Sequence, residues 1–337
     1  MKHGGDIYNN KINLDFSVNI NPLGMPKSVG DAIKNSIACV ENYPDINAEK
    51  LRKKISQYHK IEFENIICGN GASELMLAIV YALMPKKIII PVPSFLGYEH
   101  VANAIDSQVI FYEMKDNSYK LDKDFLDAID ENTDMIFLAN PNNPTGEYID
   151  DNLLDSIINK CELNNVCLVL DECFMELSSE PKRTRINNLG NNLIILRAFT
   201  KSFAIPGLRL GYLITKNKNY LEKIRANLSE WNVSILAQNA GIECLNQLDY
   251  LDRGREEIKS MRKYLSYKLK KIGLKVYDSK ANYILVKSEK DIYKELLKDG
   301  ILIRDCSNYR GLKKGYYRIA VKDIISNEKI IKAIENI

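Results

Sequence analysis

Hydrophobic and polar positions follow two alternating patterns in the first two thirds of the chain. Short continuous apolar runs predict buried strands, and longer stretches with apolar residues every three or four positions predict amphipathic helices. The predicted strands are residues 66–68, 87–92, 108–112, 134–140, 166–171, 193–197 and 210–214, and the helices between them include 72–84 and 151–163. Continuous apolar strands separated by helices indicate a mostly parallel sheet covered on both faces. The pattern therefore predicts an α/β fold.

The pattern changes after about residue 216. A long polar helical stretch is predicted over residues 219–271, followed by alternating, antiparallel strands at 283–286, 301–304 and 316–321, with a short helix among them and a last helix. The first 35 residues are rich in Asn, Gly and Pro, with no helical start before Ser28. We expect an arm that reaches the active site (1–35), a large domain (36–216), and a connecting helix with a small α+β domain (217–337).

Composition narrows the class of protein. The 337 residues are 45% hydrophobic and 27% charged, as in globular proteins. The apolar runs are too short to span a bilayer, and the N-terminus has no signal-peptide pattern. Seven scattered cysteines without CxxC pairs suggest reduced thiols, and hence a cytoplasmic protein. The three histidines lack metal-ligand spacing, so no metal site is expected.

The charge of the chain is unevenly distributed. The net charge is +3, but residues 251–337 hold 22 Lys and Arg against 12 Asp and Glu, while residues 1–250 hold 25 against 32. A basic segment could face an anionic small molecule or nucleic acid. Because no nucleic-acid-binding motif is present, we interpret most of these lysines as solvated surface, and we expect neither a nucleic-acid nor a membrane partner.

Four polar segments follow predicted strands. They are the sequence NPNNPTG at 140–146, Asp171 at the end of the most apolar strand, Thr200 and Lys201 with Arg209 eight residues further on, and GNGASE at 69–74, which opens a helix. The first segment alone could be an ordinary turn. Ligands of parallel sheets bind beyond the strand ends, and a helix start favours phosphate. Together the segments predict one site at one edge of the sheet.

This set of motifs resembles the fold-type I pyridoxal phosphate enzymes, the aspartate aminotransferase superfamily. NPNNPTG, the Asp-Glu-x-Phe strand end and the T-K-x-x-x-x-P-G-L-R-L-G block occur in the family's order and at similar spacing. The resemblance covers essentially the whole chain. It implies a large domain that binds pyridoxal 5′-phosphate and a mostly parallel mixed sheet flanked by helices.

The resemblance also implies the catalytic groups. Lys201 would form the Schiff base with the cofactor aldehyde. Asp171 would keep the pyridine nitrogen protonated, which makes the ring an electron sink. Asn143 would donate a hydrogen bond to the ring O3′.

Further residues match positions around the cofactor. Its phosphate would be held by Thr200, Arg209 and the backbone at Gly71, Ala72 and Ser73. Phe95 matches the aromatic residue that stacks on the ring. Tyr43 matches a tyrosine that reaches the cofactor phosphate of the neighbouring subunit, which implies a homodimer with shared active sites. From the residues alone, core packing would also explain Phe95 and Tyr43.

The chain departs from the superfamily pattern at two positions. Many relatives have a tyrosine three residues after the aspartate, where this chain has Phe174, so Asn143 would serve O3′ alone. Many also have a hydroxyl residue three before the lysine, where this chain has Ala198. We therefore expect the phosphate cup to depend on Thr200 and Arg209.

The two ends of the chain are similar to the threonine-phosphate decarboxylase family of the cobalamin pathway. The segments are HGGD at 3–6, LDFSVNINPLG at 14–24, and the regions around Arg304 and Arg318. The resemblance implies that phosphothreonine is bound by His3, Gly4, Asn19, Asn143, Arg304 and Arg318. We assign Arg318 to the α-carboxylate and Arg304 to the phosphate, since each anion suits its own guanidinium. For His3, a loose terminus is the alternative.

Two alternatives to threonine-phosphate decarboxylation stay open. Histidinol-phosphate aminotransferases share the core motifs and similar C-terminal arginines, and a decarboxylase could act on serine phosphate instead. Decarboxylation and transamination differ in which bond at Cα stands perpendicular to the cofactor ring. No residue type reveals that angle, so the choice of decarboxylation depends on the resemblance. Phe16 and Phe95 are candidates for contacting the substrate methyl group.

Overall fold

The computed structural model describes residues 4–115 and 118–337. Within these ranges the strands are β1 (Leu14–Asp15), β2 (Ile66–Gly69), β3 (Lys87–Val92), β4 (Gln108–Glu113), β5 (Met135–Ala139), β6 (Cys167–Asp171), β7 (Leu193–Ala198), β8 (Gly211–Ile214), β9 (Lys275–Val276), β10 (Tyr283–Lys287), β11 (Ile301–Leu302), β12 (Arg304–Asp305) and β13 (Tyr316–Ala320). The helices are α1 (Lys27–Ser36), α2 (Glu49–His59), α3 (Ala72–Leu83), α4 (Gly97–Asn103), α5 (Asp151–Leu163), α6 (Phe199–Ser202), α7 (Lys218–Ala226), α8 (Ile235–Cys244), α9 (Leu248–Lys271), α10 (Ile292–Lys298) and α11 (Ile324–Glu335).

The seven strands predicted from the continuous apolar runs form one sheet, in the order β2-β8-β7-β6-β5-β3-β4. Neighbouring strands are parallel except at β8, which is antiparallel to both β2 and β7. One face packs against α2, α5 and α8, and the other against α3, α4 and α7. Because both faces are covered, these strands carry apolar residues at successive positions. The predicted α/β fold class is confirmed.

The topology brings the four polar segments to one edge of this sheet. Ala139, the last residue of β5, lies beside Asp171, the last residue of β6. Since β8 is antiparallel, its first residue, Gly211, lies beside the last residues of both β7 and β2, Ala198 and Gly69. The segments that follow β2, β5, β6 and β7, and the segment that precedes β8, therefore share one edge.

A second, smaller sheet lies in the C-terminal part of the chain. Its strands are antiparallel in the order β12-β13-β10-β9, as the alternating pattern predicts. The single strand predicted at residues 301–304 is wrong in one respect, because it is two strands in two sheets. β11 pairs in parallel with β1 of the arm, and after Ile303 the chain changes partner so that β12 pairs with β13. This change places Arg304 opposite Arg318.

The predicted continuous helix over residues 219–271 is also wrong, since three helices occupy this stretch: α7, α8 and α9. A side-chain hydrogen bond to a backbone N–H group begins one of these helices, α8, within the stretch. Ser234 Oγ accepts from Ala237 N at 3.3 Å and thereby caps α8. A polar side chain that serves as a cap reads as part of a polar helix when only periodicity is considered.

Helix α9 is 24 residues long and packs against both sheets. Leu251 and Ile258 lie in the core of the large sheet, whereas Leu265 and Leu269 lie in the core of the small one. Helix α1 begins one residue before the expected start and crosses residue 35, the predicted end of the arm. The limits of the three proposed domains stay predictions. In the described ranges, none of the helices has both the length and the apolar character needed to cross a bilayer.

Candidate active site

A cavity of about 200 Å³ opens at the edge of the large sheet where the polar segments meet. The arm and the small sheet close its other side. Twelve of the predicted site residues line it: Gly4, Asn19, Ala72, Ser73, Phe95, Asn143, Asp171, Thr200, Lys201, Arg209, Arg304 and Arg318. Residues that are as many as 314 positions apart in the sequence, Gly4 and Arg318, thus face one cavity.

Two predicted residues that the structure describes, Gly71 and Tyr43, stand outside this lining. Gly71 immediately precedes α3 and lies against Arg209. Tyr43 is 78% exposed and packs on Trp231, with ring centroids 4.7 Å apart. His3 lies outside the described residues.

Lys201 lies in α6, the four-residue helix that follows β7. Its Nζ donates to Thr200 Oγ1 at 3.0 Å. Burial lowers the pKa of Lys201 from its ordinary value; the thiol of Cys173 and the carboxylate of Asp171 oppose this effect, while Arg209 and Arg318 add to it. A lysine with a lowered pKa loses its proton more readily and becomes a better nucleophile.

Asp171 ends β6 and turns its carboxylate into the cavity. Tyr98 donates its hydroxyl proton to Oδ2 at 2.7 Å, and the backbone N–H of Cys173 donates to Oδ1 at 2.9 Å. Two donors hold the carboxylate in place, and an ionised carboxylate can accept further hydrogen bonds. Asp171 is therefore suited to bind a protonated ring nitrogen.

The start of α3 and Arg209 form an anion-binding corner. Gly71 has φ 82°, and a Cβ atom there would lie 2.7 Å from Arg209 Nη2, so only glycine allows this close approach. Arg209 has φ 52°, a left-handed conformation that is uncommon outside glycine and occurs often at functional sites. The N-terminal amides of a helix and a neighbouring guanidinium are a phosphate-binding combination.

Arg304 and Arg318 enter the cavity from adjacent antiparallel strands. Both are about 5–6% exposed. Arg318 donates to Asn143 Oδ1 at 2.6 Å and to the backbone oxygen of Ser17 at 2.7 Å. Arg304 Nη2 donates to Asn308 Oδ1 at 2.8 Å. Two guanidinium groups therefore line this end of the cavity, where they can bind anionic ligands.

Residues of the N-terminal arm line the cavity together with Arg304 and Arg318. The Asn19 amide oxygen accepts from Arg318 Nη1 and Nε, at 3.3 and 3.2 Å. Gly5 N donates to Ser17 Oγ at 2.7 Å, and a Cβ atom at Gly4 would lie 2.4 Å from the Ser17 backbone oxygen. The arm therefore passes close to Arg318.

Comparison with known proteins agrees with this geometry. The profile of the family described as aminotransferase class I and II matches residues 11–337. The threonine-phosphate decarboxylase of Salmonella typhimurium is 33% identical over 96% of this chain and 91% of its own. The adenosylcobalamin biosynthesis bifunctional protein CobDQ of Leptospira interrogans is 33% identical over the whole of this chain, which spans 41% of that protein. The crystal structure of the histidinol-phosphate aminotransferase from Clostridium acetobutylicum has a TM-score of 0.89 and 36% identity, covering 96% of this chain and 98% of its own.

The chain belongs to the aminotransferase class I and II family. It is a pyridoxal phosphate-dependent enzyme, as the sequence predicts. The residues of this aminotransferase-family chain fit the cofactor. The anion-binding corner formed by Gly71, the start of α3 and Arg209 suits the cofactor phosphate. Asp171 suits the ring nitrogen, and Lys201 suits the aldehyde.

The structure accounts for both departures from the superfamily pattern. Phe174 lines the cavity with its ring centre 6.0 Å from Lys201 Nζ, and the Tyr283 ring meets it edge-on at 5.0 Å. Ala198 is buried at the end of β7 and does not line the cavity. Phe174 therefore contributes an apolar face, and the phosphate corner has no hydroxyl from position 198.

Sequence reasoning missed several residues of this aminotransferase-family site. Tyr98 is three residues after Phe95 in the segment PSFLGY, and its spacing from a predicted site residue was the available signal. Tyr309 packs against Arg304, with the guanidinium carbon 5.1 Å from the ring centre, and its hydroxyl lies 3.5 Å from Asn143 Oδ1. Phe16, predicted as a candidate for contacting a substrate methyl group, is instead fully buried in the core of the small sheet.

No cluster of three or more His, Cys, Asp or Glu side chains capable of holding a metal ion occurs in residues 4–115 and 118–337. The seven cysteines are free thiols, and all but Cys39 are buried.

Proposed function

We propose that this enzyme decarboxylates L-threonine O-3-phosphate to (R)-1-amino-2-propanol O-2-phosphate in cobalamin biosynthesis. The observation that carries the proposal is the pair of buried arginines, Arg304 and Arg318, which face the same cavity as Lys201. A substrate with one carboxylate and one phosphate needs two such groups. The similarity to the Salmonella decarboxylase and to the Leptospira cobalamin protein supports this choice of substrate.

Each residue of the site has a separate role in the proposed reaction. Bound pyridoxal phosphate supplies an electron sink for the electron pair left at Cα. Asp171 would accept a hydrogen bond from the protonated ring nitrogen. Asn143 would donate from its amide N–H to O3′, while its Oδ1 accepts from Arg318. Arg318 binds the α-carboxylate, and Arg304, Asn19 and the arm hold the far end of the substrate, which sets the angle of the scissile bond. Lys201 Nζ returns a proton to Cα.

A second candidate is histidinol-phosphate aminotransferase activity, which the 36% identity to the Clostridium enzyme favours. Incubation with L-threonine phosphate alone separates the two. We expect carbon dioxide release over many turnovers, because a decarboxylase regenerates its cofactor. A transaminase would stop after one half-reaction until a 2-oxo acid was supplied.

The same assay run with other substrates completes the test. Histidinol phosphate with 2-oxoglutarate should yield little glutamate. Serine phosphate should react about 10- to 200-fold less efficiently, since it lacks one methyl group. Robust glutamate formation, without carbon dioxide from threonine phosphate, would assign the enzyme to the aminotransferase activity instead.

The two arginines predict a difference in substrate dependence. Arg304→Ala should reduce kcat/KM for threonine phosphate by an amount corresponding to about 2–5 kcal/mol, because a desolvated anion loses its charged partner. The loss for unphosphorylated threonine should be much smaller. Arg318→Ala should reduce kcat/KM for both substrates, since both have an α-carboxylate.

Arg310→Ala is the matched control for this pair. Arg310 lies in the same part of the chain but forms a partly exposed ion pair with Glu99 at 2.7 Å, outside the cavity. Its removal should leave both substrates almost unaffected. Equal losses for the two substrates in Arg304→Ala would contradict the phosphate assignment.

We further propose a cytoplasmic homodimer in which Tyr43 reaches the partner's cofactor phosphate. The exposed aromatic pair of Tyr43 and Trp231, together with exposed Ile37 and Val40, supports a covered surface in an assembly. We expect sedimentation to give twice the mass of the chain, and Tyr43→Phe to weaken cofactor binding about tenfold without altering that mass. A monomer with full activity would overturn this part of the proposal.

A further inference from the structure

Tyr98 contacts two groups that face the cofactor site and is itself almost completely buried. Its hydroxyl donates to Asp171 Oδ2 at 2.7 Å. Its ring stacks on Phe137, with centroids 5.1 Å apart and planes 8° apart, and meets the Phe95 ring edge-on at 5.6 Å. Packing on both sides fixes the tyrosine, so its hydroxyl can hold the carboxylate in one orientation.

We infer that Tyr98 is a positioning residue that holds the Asp171 carboxylate in the orientation that the reaction requires. This inference rests on the role proposed above for Asp171. A hydrogen bond to an anion stabilises its charged form, and a bond in a water-poor site does so more strongly than one in water. Burial, followed by the charge of Asp171, raises the pKa of Tyr98 well above its ordinary value, so the hydroxyl remains a proton donor throughout the working pH range.

The hydrogen bond from Tyr98 determines how the Asp171 carboxylate faces a bound ring. Tyr98 and the Cys173 backbone N–H each donate to one oxygen of the carboxylate, so Asp171 would present a fixed acceptor to the N–H of a bound ring nitrogen. Without the tyrosine donor, the carboxylate would be free to turn away from the ring nitrogen, and the ring would keep less of its positive charge. Less positive charge on the ring means a weaker electron sink.

Tyr98→Phe in the holoenzyme tests this inference, because it removes one oxygen atom and keeps the packing ring. We expect kcat to fall about 5- to 50-fold with KM for threonine phosphate nearly unchanged. The pH midpoint of the visible cofactor absorption should rise by about 0.5–1 unit. A positive charge on the ring nitrogen disfavours a second one at Lys201 Nζ, so losing part of it raises the pH at which Nζ gives up its proton.

Tyr212→Phe is the matched control. Tyr212 is equally buried, and its hydroxyl lies 2.7 Å from His59 Nε2, outside the cavity lining. This variant should leave the absorption midpoint unchanged. An unchanged midpoint in Tyr98→Phe as well would overturn the inference.

A double variant separates positioning from a merely structural role. If Tyr98 acts through Asp171, adding Tyr98→Phe to Asp171→Ala should change kcat by less than about twofold. A full additional loss would mean that Tyr98 acts independently of Asp171. If Asp171→Ala alone leaves the midpoint and kcat unaltered, the proposed role of Asp171 fails first. A shift in Asp171→Ala without one in Tyr98→Phe refutes only the role of Tyr98.

Discussion

Replacement of Lys201 by alanine is expected to abolish turnover, reducing kcat by about 10⁴-fold or more, as removal of a catalytic nucleophile does elsewhere. The visible absorption that depends on the covalent link to Nζ should also disappear. Cofactor binding itself should persist, because the anion-binding corner and Thr200 do not depend on the lysine. Absorption spectra, turnover and equilibrium dialysis of the cofactor measure the three effects.

Lys160→Ala is a suitable control, since its half-buried Nζ donates to the Leu126 backbone oxygen, outside the cavity lining. This variant should keep the spectrum and the rate. Wild-type turnover by Lys201→Ala with added pyridoxal phosphate would refute the assignment of the nucleophile.

The second large effect is expected at Asp171. Asp171→Ala should lower kcat by about 10²- to 10³-fold, the usual cost of losing a preorganised electrostatic partner of the reacting group. Cofactor affinity should fall as well. Asp171→Asn keeps the shape of the side chain but removes its charge, so it should be nearly as impaired.

Asp155→Ala provides the comparison for a lost carboxylate. Asp155 pairs with Arg185 at 2.9 Å on α5 and does not line the cavity, so this variant should retain activity. A near-normal rate in Asp171→Asn would mean that the charge of Asp171 is not required.

Strands buried on both faces were predictable from the sequence because their apolar runs leave few alternatives. The positions of Lys201 and Asp171 followed, since strand ends of a mostly parallel sheet meet at one edge. The break between α7 and α8 was missed because polar capping residues such as Ser234 resemble the exposed side of a helix. The split at Ile303 was missed because strand partners depend on contacts distant in sequence.

Within the site, residues that form charged contacts were easier to predict than those that position them. Arg318 stood out through its surrounding motif, whereas Tyr98 and Tyr309 act through hydrogen bonds to other side chains, which periodicity does not encode. Phe16 shows the opposite error. Its place in the arm suggested contact with a ligand, but its side chain fills the core of the small sheet.

The arm and α9 cross between the two sheets at separate places. Within the arm, β1 pairs with β11, which comes just before the small-sheet strand β12. Further along, Asn21 N donates to the Lys201 backbone oxygen at 3.0 Å, and Val29 of α1 lies in the core of the large sheet. The arm therefore connects the two parts of the molecule at the active site, because Asn21 contacts the backbone of Lys201 and Ser17 accepts a hydrogen bond from Arg318. A displacement of the arm would therefore be transmitted to Lys201 and Arg318 together.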